Sequence, residues 1–527
     1  MSRQLTTGAG VTVGATLLMG GAAQAATLTV GTTADSSGAT DCAVATNTDC
    51  TLRDAINDAN SDPGSTITFR SGLSGTITLG TSLPALLQAA TISGPGAGQL
   101  TVDANGVSNV LAIVLGANAP VTISGLTMTG GDSGSIKYGG GIYSDNATLT
   151  LKDMVVSGNQ TGDRGGGGVG VIGGSLTMEN STVSGNTANG SGSFGGGVYL
   201  QSGSGAEATI RSSTISGNEG GFGGGIYFDY STSATLENST VYDNTSRNEG
   251  GGVYHFGAPG GPGLTVTGST ITHNRAIRGG GIASGGDPLD GQPVLRDTIV
   301  FGNTADSADE GDDLSAEDGS MDAGFSLIGS IDPDTTLNQT GPNLLGQDPQ
   351  LGPLANNGGS TQTQKPALAS PVIDQGSAFG LGSDQRALGR PVEIPTIPNA
   401  AGGDGSDIGA VELQPSELPS NSFTAKVKGK KILVTVSAAG SVGVADGKAP
   451  LRASEAKKKK RKLFLNSSSG SGAPPTIAVA LRLTKFAKQK LRQKGKLAVG
   501  ARITFTPNRG IPRTSKVKLK IKGKKRK

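Results

Sequence analysis

The stretch GGGIYFDYSTSATLENSTVYDNTSRNE occupies Gly223–Glu249, and the chain restarts at Gly250 with GGGVYHF. A glycine triplet, an aliphatic residue and a tyrosine recur, with a Ser-Thr-Val triplet and an asparagine between restarts. The aliphatic residue after each glycine run falls at Ile142, Val169, Val198, Ile226, Val253 and Ile282, at intervals of 27, 29, 28, 27 and 29 residues. A second series, Asn159, Asn186, Asn218, Asn244, Asn274 and Asn303, keeps a similar step. Each unit holds three short β-like pieces, such as GGGIY, ATLEN and STVYDN, bounded by turn formers.

Such pieces are too short for helices and too regular for a low-complexity tract. No unit can bury its apolar side alone. Stacked in register, each piece becomes a rung of a parallel sheet, and three sheets wrap one narrow core. The expectation is an all-β chain built on a parallel β-helix, with aliphatic side chains of successive coils piled over each other. Glycines allow adjacent coils to approach at a tight corner. The recurring asparagine suits a left-handed turn position, and its side chain can bond its own or a neighbouring coil's backbone. Weaker pieces, STITF, GTITL, ATISG, LTVDA and VTISGLTMTG, extend the pattern back to Ser65. A solenoid over residues 65–345 would hold roughly ten coils and reach about 50 Å.

Charge divides the chain. Residues 424–527 carry 30 Lys or Arg against two acids, a net of +28, and the rest carries 14 against 39, a net of −25. An acidic body with a basic tail points to different partners for each part. Arg3, the apolar run VTVGATLLMGGAA and Ala23-Gln24-Ala25 read as an export signal over residues 1–25. No later stretch is long and apolar enough to span a bilayer. In an exported chain Cys42 and Cys50 are expected to form one disulfide.

Three groups of motifs carry family resemblances. DCTLRDAINDAN, Asp49–Asn60, resembles the CSLREA segment of secreted bacterial β-helix proteins, with Thr51 for its Ser and Asp54 for its Glu. The GGGIY and STVSGN units resemble the repeats of polymorphic outer-membrane proteins and related right-handed β-helix proteins, although the Phe of the family's FxxN motif is mostly Val or Ile here. DPQLGPLANNGG, SPVIDQGS, DQRALGRP and DIGAVE, between Asp348 and Glu412, resemble a choice-of-anchor domain of the Q type. Together they imply a right-handed, secreted or surface-displayed rod, often adhesin-like. The basic tail resembles a small Ig-like β-sandwich, with strands in KKILVTVSA, TIAVALRLT, KLAVGARITFTP and SKVKLKIKG and a helix in KFAKQKLRQKG. The organisation expected is a cap over 26–64, solenoid over 65–345, anchor-like segment over 346–414, linker over 415–423 and basic sandwich over 424–527.

Many right-handed β-helices cleave acidic polysaccharides. Hydrolysis needs paired carboxylates, and elimination needs a base near a cation held by acids. Asp312 and Asp313 are the best carboxylate pair, set against a reading of DSADEGDD as an acidic loop closing the last coil. Tyr143, Tyr199, Tyr227 and Tyr254 follow the inward aliphatic residue, so alternation sends them outward as a ladder broken at Gly170. Such a ladder either stacks on sugars or stabilises its own sheet. Lys457, Lys458, Lys459, Lys460, Arg461 and Lys462 form an exposed basic loop suited to an anionic envelope polymer. No metal, cofactor or nucleic-acid motif is read, and the chain is expected to act as a monomer. The leading expectation is a non-enzymatic adhesin or glycan- and envelope-binding scaffold. The alternative is an extracellular polysaccharide lyase or glycoside hydrolase.

Overall fold

The computed structural model describes residues 25–523 apart from 37, 39–40, 45–47, 135–137, 202–206, 230–232, 258–262, 287–290, 308–310, 317–318 and 449–462. The export signal and the Lys457–Lys462 loop therefore lie outside the described residues.

A regular coil contains four strand positions, shown by Val169–Ile172, Ser175–Glu179, Thr182–Ser184 and Thr187–Ala188. Each position pairs in parallel with its equivalents in the coils before and after. The first two positions merge into one 18-stranded sheet, the third builds an 11-stranded sheet, and the fourth a 6-stranded one. Ile142, Val169, Val198, Ile226, Val253 and Ile282 stand in one register column, and each has 0 % of its surface exposed. Val156, Val183, Ile215, Val241, Ile271 and Val300 form a second interior column from the third position. Each such side chain contributes roughly 1.5–3 kcal/mol by burial, which no isolated coil could collect.

Glycine is needed where coils close. Gly223 has φ +63°, and a Cβ on Gly225 would sit 2.5 Å from the carbonyl oxygen of Gly252 in the next coil. The left-handed residue at the corner after the third strand is not the recurring asparagine. It is the residue before it: Gly158, Gly185, Gly217, Asp243, His273 or Gly302. Freed from that backbone task, the asparagine turns its amide along the solenoid axis.

The N-terminal end is closed by one helix, Leu52–Ser61, which buries Leu52, Ala55, Ile56 and Ala59. Thr51 and Asp54, the two departures from the CSLREA pattern, form a reciprocal capping box at its start. Cys42 and Cys50 are bonded, with Cα atoms 5.4 Å apart. Their carbonyls accept from the backbone N of Thr29 in the first rung and of Gly31 just after it. That rung, Thr27–Val30, pairs in parallel with Ser65–Phe69, so the solenoid begins inside the segment read as a cap. A helix over the open end hides the core and denies it an unpaired apolar face.

The C-terminal region is an antiparallel sandwich. One sheet holds Phe423–Lys428, Lys431–Val436 and Thr476–Ala480; the other holds Ser468–Gly472, Gly440–Asp446, Lys496–Pro507 and Arg513–Lys522. Ile432, Val434, Ile477, Ile503 and Phe505 are among the residues of its separate core. The helix Lys485–Lys494 ends at Gly495 with φ +65°. No helix among the described residues is long and apolar enough to cross a membrane.

Candidate functional site

The tyrosines do stack in register on the outer side of the first strand position, Tyr199 beside Tyr227 and Tyr227 beside Tyr254. They are not exposed, contrary to expectation: Tyr199 keeps 1 % of its surface, and Tyr227 and Tyr254 keep 5 % each. The segment before each glycine run crosses back over this face. Its Phe194 lies 5.6 Å from Tyr199 and 4.8 Å from Tyr227, and Phe222 lies 5.6 Å from Tyr254. Gly170 marks no gap. Tyr138 occupies the space beside it and stacks on Tyr199 at 5.5 Å. Burial pushes the Tyr199 phenol far up, with Asp229 adding to the shift, and pushes half-buried Tyr143 up to about 12. This is a satellite core under a loop cover: Tyr199, Tyr227 and Tyr254 offer no open ring face to a sugar, while Tyr143 and the covering Tyr138, Phe194 and Phe222 are half-buried.

Of the two readings of Asp312 and Asp313, the structure favours the acidic closure of the last coil over a catalytic pair. The asparagines form an internal ladder in which each Nδ2 donates to the Oδ1 of the next coil, at 2.8–2.9 Å from Asn159 through Asn303. Asp313 ends it. Its Oδ1 accepts from the backbone N and Nδ2 of Asn303 at 3.0 and 2.7 Å, and its Oδ2 accepts from Ser330 N at 2.8 Å. A carboxylate suits this end because only acceptors are needed. Burial raises its pKa against those hydrogen bonds. Asp312 Oδ1 accepts from Ala305 N at 2.7 Å, on the same turn. The pair is a structural terminus of the last regular coil. His255 is also internal: it is 2 % exposed, its Nδ1 has no hydrogen-bond partner among the described residues, and burial pushes it down to about 4. Among the described residues no group of three or more His, Cys, Asp or Glu is arranged to hold a metal ion.

Residues 346–414 dock along the outside of the 11-stranded sheet. The three letters of the Ser-Thr-Val triplet now have separate roles. Ser213 receives the backbone N of Ser181 at 3.1 Å as part of a second coil-to-coil ladder, and Ile215 or Val241 points inward. The threonine points outward to the docked segment. Thr214 Oγ1 donates to Gln362 O at 2.6 Å and Thr240 Oγ1 to Gln385 Oε1 at 2.6 Å, and Thr272, one residue past the triplet Ser269-Thr270-Ile271, donates its Oγ1 to Gln364 Oε1. Ala410 N donates to Thr270 Oγ1 at 3.0 Å.

A buried ion network locks this joint, and sequence reasoning missed it. Arg390 has 0 % side-chain exposure and contacts Asp297 of the solenoid at 3.1 Å and Glu412 at 3.2 Å, both equally buried. It also donates to Asp407 O and Gly409 O at 2.9 and 2.7 Å. Arg386 pairs with Asp384 at 2.9 Å and Glu417 at 3.0 Å. Burial holds Asp297 and Asp407 well above the carboxylate range, and it raises Glu412 against the pull of Arg390. Burial pushes Asp374 up to about 7. The signal was present in DQRALGRP and DIGAVE, whose charged residues all turn inward here. The Arg390 guanidinium and its two carboxylates are fully buried, so their chemistry is that of attachment within the fold.

Residues 111–292 match the family model described as right handed beta helix region. The chain carries a β-helix of that kind. A search of curated proteins finds no match. The matched span covers the most regular coils, from the rung containing Leu111 to the one before Val294. A β-helix is consistent with surface or adhesin roles and equally with polysaccharide degradation.

Proposed function

We propose that the chain is an exported, surface-associated β-helix scaffold without its own catalysis, tethered by its basic C-terminal sandwich to an anionic envelope or extracellular polymer. The observation carrying this reading is the charge partition: net −25 on the body and net +28 on residues 424–527. A summed field of that size attracts polyanions and is screened by salt. The resemblances to CSLREA, polymorphic outer-membrane and choice-of-anchor sequences favour display at a cell surface. The enzymatic alternative draws on the fold alone, because Asp312 and Asp313 are occupied by hydrogen bonds of the last regular coil.

The test compares the full chain with one lacking residues 424–527 on beads carrying an anionic polysaccharide. Retention at low salt, lost as salt rises and absent from the truncated chain, is the expected result. Equal retention of both chains would sink the reading. Release of unsaturated or reducing sugars from an acidic glycan would move the assignment to the lyase or hydrolase alternative.

A further inference from the structure

The outer face of the four-stranded C-terminal sheet holds a cavity of about 600 Å³. Its polar lining includes Ser467, Ser469, Thr504, Thr514, Arg482 and Arg502. Strand alternation explains the set: Ile503 and Phe505 enter the core, so Arg502 and Thr504 face out. On the neighbouring strand Leu519 and Ile521 are buried, and Thr514, Lys516, Lys518, Lys520 and Lys522 take the exposed face. Register places Lys516 beside Arg502 and Lys518 beside Gly500. Successive lysines stand about 6.7 Å apart along the strand, so a row of cations runs out from the cavity. No acidic residue follows Glu455 in the sequence. The nearby Asp446 is 2 % exposed and spends its carboxylate on the backbone N–H groups of Lys448, Phe464 and Leu465.

The floor of this face is unusual for a strand. Gly443, which lines the cavity, and Gly500, on the same outer face beside the lysine row, lie in strand interiors, neither has a positive φ, and a Cβ on either would meet nothing within 4 Å. Neither backbone conformation nor packing requires glycine there, and glycine in a strand costs about 0.5–1 kcal/mol. Glycine at such positions marks close approach of a ligand or another backbone. Among the described residues no aromatic lines the cavity, so they supply no stacking platform of the kind found in single-stranded nucleic-acid sites.

We propose that this face binds a linear acidic polymer whose carboxylate or phosphate groups repeat along a hydroxyl-bearing backbone. The inference rests on the reading of the basic sandwich as a tether and gives that tether a site, different from the Lys457–Lys462 loop. Arg482 supplies a planar fork for the anionic groups, and Arg502 adds positive charge beside it. The hydroxyls of Ser467, Ser469, Thr504 and Thr514 meet the polymer's own hydroxyls, and the lysine row continues the charge match.

The full chain is titrated with poly(glycerol phosphate), polygalacturonate, uncharged dextran and single-stranded DNA. Tight binding of either acidic polymer and none of dextran is expected, and the preferred arm names the anion. Gly443→Leu with Gly500→Leu fills the floor without changing charge and is expected to weaken binding at least about tenfold. Arg482→Gln with Arg502→Gln leaves the backbone untouched and should do the same, while serine at positions 457–462 changes affinity less than about threefold. Matching thermal transitions confirm that the variants fold. Full binding by both groove variants, with loss in the loop variant, overturns the site and leaves the tether standing. Tighter binding of single-stranded DNA than of either acidic polymer overturns the ligand class. Failure of the unaltered chain to bind any charged polymer removes the tether itself.

Discussion

Asn218 is held in the middle of the asparagine ladder, 1 % exposed. Its Oδ1 accepts from the backbone N and Nδ2 of Asn186 at 3.0 and 2.9 Å, and its Nδ2 donates to Asn244 Oδ1 and Val183 O at 2.8 and 3.0 Å. Asn218→Ala leaves buried donors and acceptors unpaired and is expected to cost roughly 3 kcal/mol in chemical denaturation. Asn218→Asp should fare no better, since it buries a charge and cannot donate. A loss under about 0.5 kcal/mol for alanine would mean the ladder is decoration. His255 gives a residue-scale test with a pH axis. Its folded pKa of about 4 lies below the ordinary 6.5. The unfolded chain therefore binds the proton first, and stability present above pH 6.5 is lost as pH falls toward 4. The full window is worth roughly 3 kcal/mol. His255→Leu should flatten that part of the stability curve, whereas an unchanged slope between pH 6.5 and 4 would show that the ring is solvated or paired.

At the scale of elements, the joint between the 11-stranded sheet and residues 346–414 turns on Arg390. Its removal strands Asp297 and Glu412, both 0 % exposed, without a counter-charge. Arg390→Met is expected to cost roughly 3–5 kcal/mol, and adding Asp297→Asn and Glu412→Gln should return part of it. Hydrogen exchange across 372–412 is the measurement, and protection equal to the unaltered protein would show the docking to rest on the threonine and glutamine bonds alone. This joint also marks how far the sequence could be read. The interior columns followed from period and alternation, because a side chain's inward direction is a local property of a strand. What covers the outward side is not local. Tyr199 and Thr240 both point away from the solenoid core, yet one lies under Phe194 and the other under Gln385. The cover comes from a loop in one case and from a segment about 145 residues away in the other. For Asp312 and Asp313 the reading as an acidic closure of the last coil agrees with the structure, but the bonds they make there were not legible, because a terminus of a repeat ladder leaves no periodic trace.

For the whole molecule, the sandwich and the solenoid have separate cores, and the described contacts between the sandwich and the preceding segment are narrow. Arg509 donates to Leu368 O and Ser370 O at 2.7 and 3.1 Å, and Ile511 packs with Leu413 and Leu418. A joint of that size does not fuse two cores into one cooperative unit. The full chain should therefore melt in two calorimetric transitions, and a chain ending at residue 422 should keep the one belonging to the solenoid and its docked segment. Arg509→Ala should leave both midpoints within about 2 °C while loosening the angle between the parts, read as a broader distance distribution between labels on each. A single transition that shifts as one on truncation would mean that the joint carries stability and that the tether cannot pivot. If the basic sandwich is the tether proposed above, the number of transitions bears on function. A rod held by a pivoting basic foot can sweep its length over a surface, whereas a rigid one presents a single fixed face.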